Sequence, residues 1–188
     1  FYNPASAYKP AVAAEKAVEL ARANLAAALG SSANELLFTS GGTESNNMAI
    51  TGALKPIRGK KRIVTTASEH PSVYEVFRSL DGIPETEVVF VGLNPDGTVN
   101  LGKLEAALSE DTALVSVMHV NNEVGAINDL DAIASLLRLH APGALLHSDG
   151  VQAFCKLPFG KNAADLYSIS AHKFHAPKGV GALFVKNG

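Results

Sequence analysis

The sequence predicts an α/β fold, a three-layer sandwich built on a mostly parallel central sheet. Short apolar runs alternate with stretches of helical periodicity along the whole chain. Strands that alternate with helices in this way lie in a sheet covered by helices on both faces. The chain has 188 residues, 47% hydrophobic and 18% charged, which suits one domain or a large piece of one and excludes a disordered tail.

The elements follow in order. Ala11 to Leu29 is Ala-rich with apolar residues at helical spacing, and Gly30 is a plausible stop. Leu36 to Ser40 reads as a strand, Gly41-Gly42 as a turn, and Thr43 to Leu54 as a helix. Arg62 to Thr66 is a second strand, followed by a helix from Pro71 to Leu80 with proline in its first turn. Glu87 to Val91 is a third strand and Lys103 to Leu108 a helix. Ala113 to Val120 reads as a long buried strand, and Leu130 to Leu139 as a helix ended by Pro142-Gly143. Strands are expected at Ala144 to Ser148, Leu166 to Ser170 and Gly181 to Val185. Pro84, Pro95, Asp96 and Gly97 mark surface turns.

Charge and cysteine usage narrow the function. The net charge of -2 offers no basic field for nucleic acid or an anionic membrane. No apolar run approaches the roughly 20 residues of a membrane span. Phe1-Tyr2-Asn3-Pro4 does not open a signal peptide. The single cysteine, Cys155, can form no internal disulfide or multi-thiolate metal site, so a cytoplasmic location fits best. The absence of an initiating Met and the end at Gly188 lead us to expect a piece of a longer protein.

Several strands end in polar clusters. These are Ser40-Gly41-Gly42-Thr43-Glu44-Ser45, Ser68-Glu69-His70, Asn121-Asn122-Glu123, Asp149 with Gln152, and Ser170-Ala171-His172-Lys173. Ligands of open parallel sheets bind beyond the carboxyl ends of the strands, so five clusters on one edge point to a single site. Gly41-Gly42-Thr43 before a helix can cradle a phosphate on free N–H groups, or can be a tight turn with Thr43 as an ordinary cap. Neither GxxxxGK[ST] nor GxGxxG is present. Asp149 ends an apolar strand, where a carboxylate is costly unless paired; it is either a helix cap or the partner of a cationic ring nitrogen. Gln152 follows on the same side of a helical turn. His70 is either a solvated loop residue or a ring that stacks on a flat ligand and moves protons. His119 and His147 lie inside apolar strands and read as core or supporting residues. Lys173, beside His172, is either a surface charge or an amine placed to form a Schiff base with an aldehyde. No spacing resembles a zinc site.

Taken together, the chain resembles the pyridoxal-phosphate-dependent cysteine desulfurases, of the NifS/IscS type, within the class V aminotransferase group. The resemblance rests on Thr39-Ser40-Gly41-Gly42-Thr43-Glu44-Ser45-Asn46-Asn47, Ser68-Glu69-His70, His119 to Gly125, His147 to Gln152 and, most specifically, Ser170 to Gly181. It implies the large cofactor-binding domain of a fold-type I enzyme over residues 1–188, with pyridoxal 5′-phosphate as cofactor. By that resemblance Lys173 holds the cofactor covalently and Asp149 pairs with its ring nitrogen. Gln152 bonds the phenolic oxygen, His70 stacks on the ring and assists proton transfers, and Asn122 lies near the phenolic oxygen and the substrate carboxylate. Thr43, Ser170 and His172, with the N–H of Gly42 or Thr43, hold the phosphate.

The implied reaction converts L-cysteine to L-alanine and passes sulfur to an enzyme cysteine as a persulfide. The nucleophile would lie outside this chain, and Cys155 reads as structural. A cytoplasmic homodimer, a sulfur-acceptor protein and a place in iron–sulfur cluster assembly are also implied; no nucleic-acid or membrane partner is. Two departures stand out: Ala7-Tyr8-Lys9 follows Asn3-Pro4-Ala5-Ser6 where the family has a histidine, and His175-Ala176 precedes Pro177 where a bulky residue and glycine are usual. The alternatives are another class V enzyme (an aminotransferase, or a selenocysteine or cysteine-sulfinate lyase) and a non-catalytic relative that acts as a binding partner.

Overall fold

The computed structural model describes residues 2–59, 61–160 and 163–187. Five helices and seven strands are described: α1 Lys9–Leu29, β1 Leu36–Thr39, α2 Gly42–Leu54, β2 Lys61–Thr66, α3 Pro71–Leu80, β3 Thr86–Val91, α4 Leu101–Ala107, β4 Thr112–Ser116, α5 Leu130–His140, β5 Leu145–Asp149, β6 Leu166–Ser170 and β7 Gly181–Val185. Local chemistry sets their ends. The Gly30 N–H closes α1 on the carbonyls of Ala26 and Ala27. Asn100 and Asp129 cap α4 and α5 by accepting from the N–H groups of Lys103 and Ala132.

The seven strands form one sheet in the order β1-β7-β6-β5-β4-β2-β3. Strand β7 runs antiparallel to β1 and β6, and the other four pairings are parallel. Alternate strand residues therefore face opposite layers. Ile63, Leu114, Leu166 and Leu183 pack with Ile50 of α2 and Val73 and Phe77 of α3. Their neighbours Val64, Val115, Tyr167 and Phe184 belong to the second core, with Leu29 of α1, Leu104 of α4 and Ile133 and Leu137 of α5. The expected three-layer sandwich is what the chain forms.

Two elements differ from the sequence reading. The expected strand Ala113 to Val120 runs four residues too far, because β4 stops at Ser116. Beyond it, side chains take the backbone groups of Met118: its N–H donates to Glu69 Oε1 and its carbonyl accepts from Asn128 Nδ2. Helix α4 begins two residues earlier than expected, where Asn100 caps it. The segment carrying Gln152 is a series of turns closed on the Gly150 and Ala153 carbonyls, in keeping with the helical turn expected there.

Since β1 is antiparallel to β7, and β7 to β6, the carboxyl ends of β1, β2, β4, β5 and β6 share one edge. Gly181 starts β7 at that edge. A Cβ there would lie 2.6 Å from both Gly41 Cα and the Ile169 carbonyl oxygen. Only glycine lets the chain pass close enough to set the start of α2 beside the end of β6.

Candidate active site

All nine residues expected to form the site line a single cleft of about 300 Å³ at this edge. Gly42 and Thr43 come from the first turn of α2, His70 from the cap of α3, and Asn122 from the loop after β4. Asp149 ends β5, Gln152 lies in the turns that follow, and Ser170 ends β6. His172 and Lys173 sit in the 3-10 turn Ala171–Phe174. Asn46, Ser72, Met118 and Val151 complete the lining.

The α2 end of the cleft suits an anion. Gly41 precedes the helix without a side-chain cap, so among the described residues no side chain takes the first N–H groups. A Cβ on Gly42 would lie 2.6 Å from Val151 Cγ2, so glycine keeps this end open. Ser170 Oγ lies 3.0 Å from His172 Nδ1, adding a hydroxyl and an imidazole to the donor set. Free N–H groups, hydroxyls and basic side chains at the positive end of a 13-residue helix form a cradle for a phosphate dianion.

The other wall suits a cation. Asp149 is only 4% exposed. Its Oδ1 accepts from the Val151 N–H at 3.0 Å and its Oδ2 from Asn46 Nδ2 at 2.7 Å. Burial pushes this carboxyl above its ordinary value, while the two hydrogen bonds and the charge of Lys173 pull the other way. Among the described residues no cation stands within ion-pair distance of Asp149, and a cationic ring nitrogen at this wall would supply that close partner.

Three residues at or behind the cleft were missed. Asn46 and Ser72 bridge Asp149 to His70: Asn46 Nδ2 also donates to Ser72 Oγ at 2.8 Å, and Ser72 Oγ lies 2.8 Å from His70 Nδ1. Asn46 stands three residues after Thr43, a helical spacing that places both on one face of α2. Glu69 is buried, with Oε1 accepting from Thr66 Oγ1 and the Met118 N–H, both at 2.9 Å. Its Oε2 has no partner among the described residues. Burial pushes its carboxyl up to about 8, which favours the neutral acid.

The remaining candidates fall elsewhere. His147 is fully buried between Ser116 and Ser168, and burial lowers it to about 3. His119 is buried against the Tyr167 hydroxyl, 2.8 Å from Nδ1. Both are core histidines, as expected. Cys155 is exposed, has a left-handed φ of 63°, and lines a separate apolar groove with Phe38, Phe154 and Phe174. Among the described residues no group of three or more His, Cys, Asp or Glu could hold a metal ion.

The family model for aminotransferase class-V matches residues 3–188. The chain belongs to that family. It is 45% identical to the cysteine desulfurase IscS of Aeromonas salmonicida, over 99% of this chain and 46% of the relative. It is 46% identical to the cysteine desulfurase IscS of Anaeromyxobacter, over 92% of this chain and 43% of that one. Among solved structures, a NifS-like protein superposes with a TM-score of 0.94 at 38% identity, over 98% of this chain and 51% of its own. SspA in complex with cysteine gives 0.92 at 34% identity, over 98% of this chain and 53% of its own. This class-V chain thus spans about half the length of the curated relatives it matches.

Proposed function

We propose that this chain is the large, cofactor-binding domain of a cysteine desulfurase that uses pyridoxal 5′-phosphate and converts L-cysteine to L-alanine. The observation that carries the reading is the cleft itself. An amine, Lys173, and a buried carboxylate, Asp149, line it together with the uncapped start of α2. An aldehyde, a ring nitrogen and a phosphate ask for those three groups. The identity to cysteine desulfurases supports the substrate.

The residues would divide the work as follows. Gly42, Thr43, Ser170 and His172 would hold the phosphate, and Lys173 the aldehyde carbon. Asp149 would keep a proton on the ring nitrogen, held in place by Asn46 and the Val151 N–H. His70 would cover the ring, and Gln152 and Asn122 would bond its phenolic oxygen. The cofactor, when bound, would supply an electron sink for charge that develops at the substrate α-carbon. Lys173, once released, would take the α-proton. The thiolate that accepts sulfur would come from outside residues 1–188, since Cys155 does not line the cleft. No described helix is long and apolar enough to cross a membrane. We place the complete enzyme in the cytoplasm as a homodimer that serves an acceptor protein in iron–sulfur cluster assembly.

The test is covalent. The chain is incubated with pyridoxal phosphate, reduced with borohydride, digested and mapped by mass. A reduced adduct is expected on Lys173 and is lost in Lys173→Ala. An adduct on another lysine with Lys173 clean overturns the assignment.

A further inference from the structure

We propose that Asn46 and Ser72 are positioning residues: their hydrogen bonds hold His70 as the neutral tautomer with its proton on Nε2. The chain of donors has one consistent direction. The Ser72 N–H donates to His70 Nδ1 at 3.1 Å, so Nδ1 presents its lone pair and the proton of the neutral ring sits on Nε2. Ser72 Oγ also lies 2.8 Å from Nδ1, and against a lone pair the hydroxyl can only donate. Its own lone pair is taken by Asn46 Nδ2 at 2.8 Å. The second proton of that amide nitrogen goes to Asp149 Oδ2 at 2.7 Å.

Asp149 orients the whole chain. Asn46 is 1% exposed, and its Oδ1 has no partner among the described residues. Reversing the amide would put Oδ1 in place of the nitrogen that donates to Asp149 Oδ2 at 2.7 Å and to Ser72 Oγ at 2.8 Å, so these two hydrogen bonds select the observed orientation. The amide then turns the Ser72 hydroxyl toward His70. Helices α2 and α3, which carry Asn46 and Ser72, are thereby tied to the end of β5.

A consequence for catalysis rests on the proposed function. In this tautomer Nε2 offers a proton and has no lone pair to receive one, and Nδ1 is already engaged by two donors. His70 then acts as a donor and ring partner, and the proton-accepting role falls to Lys173.

The tautomer is read directly, in the chain without cofactor, from the side-chain 15N resonances of His70 at alkaline pH, where imidazole is neutral. Nδ1 is expected to resonate as an unprotonated nitrogen and Nε2 as a protonated one. Ser72→Ala removes the shorter donor, and the loss of one hydrogen bond raises the Nδ1–H population about 2- to 10-fold. Ser72→Thr keeps the hydroxyl and restores the ratio. Asn46→Ala frees the hydroxyl to accept as well as donate and moves the ratio in the same direction by a smaller factor. Should Asn46→Ala fail to fold, Ser72→Ala carries the test, since Ser72 is half-buried at the start of α3. A wild-type ring protonated on Nδ1, or a ratio unmoved by Ser72→Ala, overturns the proposal. Neither outcome depends on borohydride labelling of Lys173, so this inference and the proposed function fail separately.

Discussion

Replacing Glu69 by Gln should remove a pH dependence from the stability of the fold. Burial raises this carboxyl from 4.5 to about 8 on folding. Between those values the folded chain keeps a proton that the unfolded chain has released. Stability is therefore fully present below the unfolded value and declines as pH rises through the folded one. At about 1.4 kcal/mol per unit, the loss is at most about 5 kcal/mol. Gln is neutral at every pH, and its Oε1 can still accept from Thr66 Oγ1 and the Met118 N–H. Its Nε2 would stand where Oε2 has no described partner, a constant cost of about 1–3 kcal/mol that shifts the offset and not the slope. The assay is urea unfolding of wild type and Glu69→Gln at about pH 5 and about pH 9, where other titrations cancel in the difference. The variant should gain several kcal/mol relative to wild type across that range. A difference that stays constant with pH would refute the argument that Glu69 is buried as the neutral acid.

Three further outcomes follow from the same geometry. Gly42→Ala places a Cβ 2.6 Å from Val151 Cγ2 and should weaken pyridoxal phosphate binding about tenfold or more, read by absorbance titration, with folding retained. Gly181→Ala meets backbone atoms at 2.6 Å that cannot swing aside, so it should cost about 3 kcal/mol or more, a fall in Tm of roughly 6–12 °C by calorimetry. Asp149→Ala in the complete enzyme should cut turnover far more than it lowers Tm, and normal turnover with cofactor bound would rule out its role toward the ring nitrogen.

Much of the site was legible because it is built at strand ends. Asp149 stands out as a carboxylate closing an apolar run, and Lys173 as an amine just past another. The supporting residues were not legible. Asn46 and Asp149 are 103 positions apart, and nothing in the local pattern of either says that one holds the other. Glu69 reads as one polar residue among three at a loop, and its raised pKa follows only from burial beside Met118, 49 positions away. Val117 to Val120 is apolar enough for a strand, yet Met118 gives its backbone groups to Glu69 and Asn128.

The sequence by itself determined the alternation of helices and strands, because periodicity, caps and turn residues act within a few positions of one another. It also determined that polar clusters stand after apolar runs, since an interior strand excludes such residues until it ends. Tertiary structure alone decided the strand order and the antiparallel course of β7, which carry the ends of β1, β2, β4, β5 and β6 to one edge. It alone decided the charge states and hydrogen-bond directions at the cleft. The physical reason is that desolvation and donor geometry depend on neighbours drawn from distant parts of the chain, and those neighbours meet only when the layers pack.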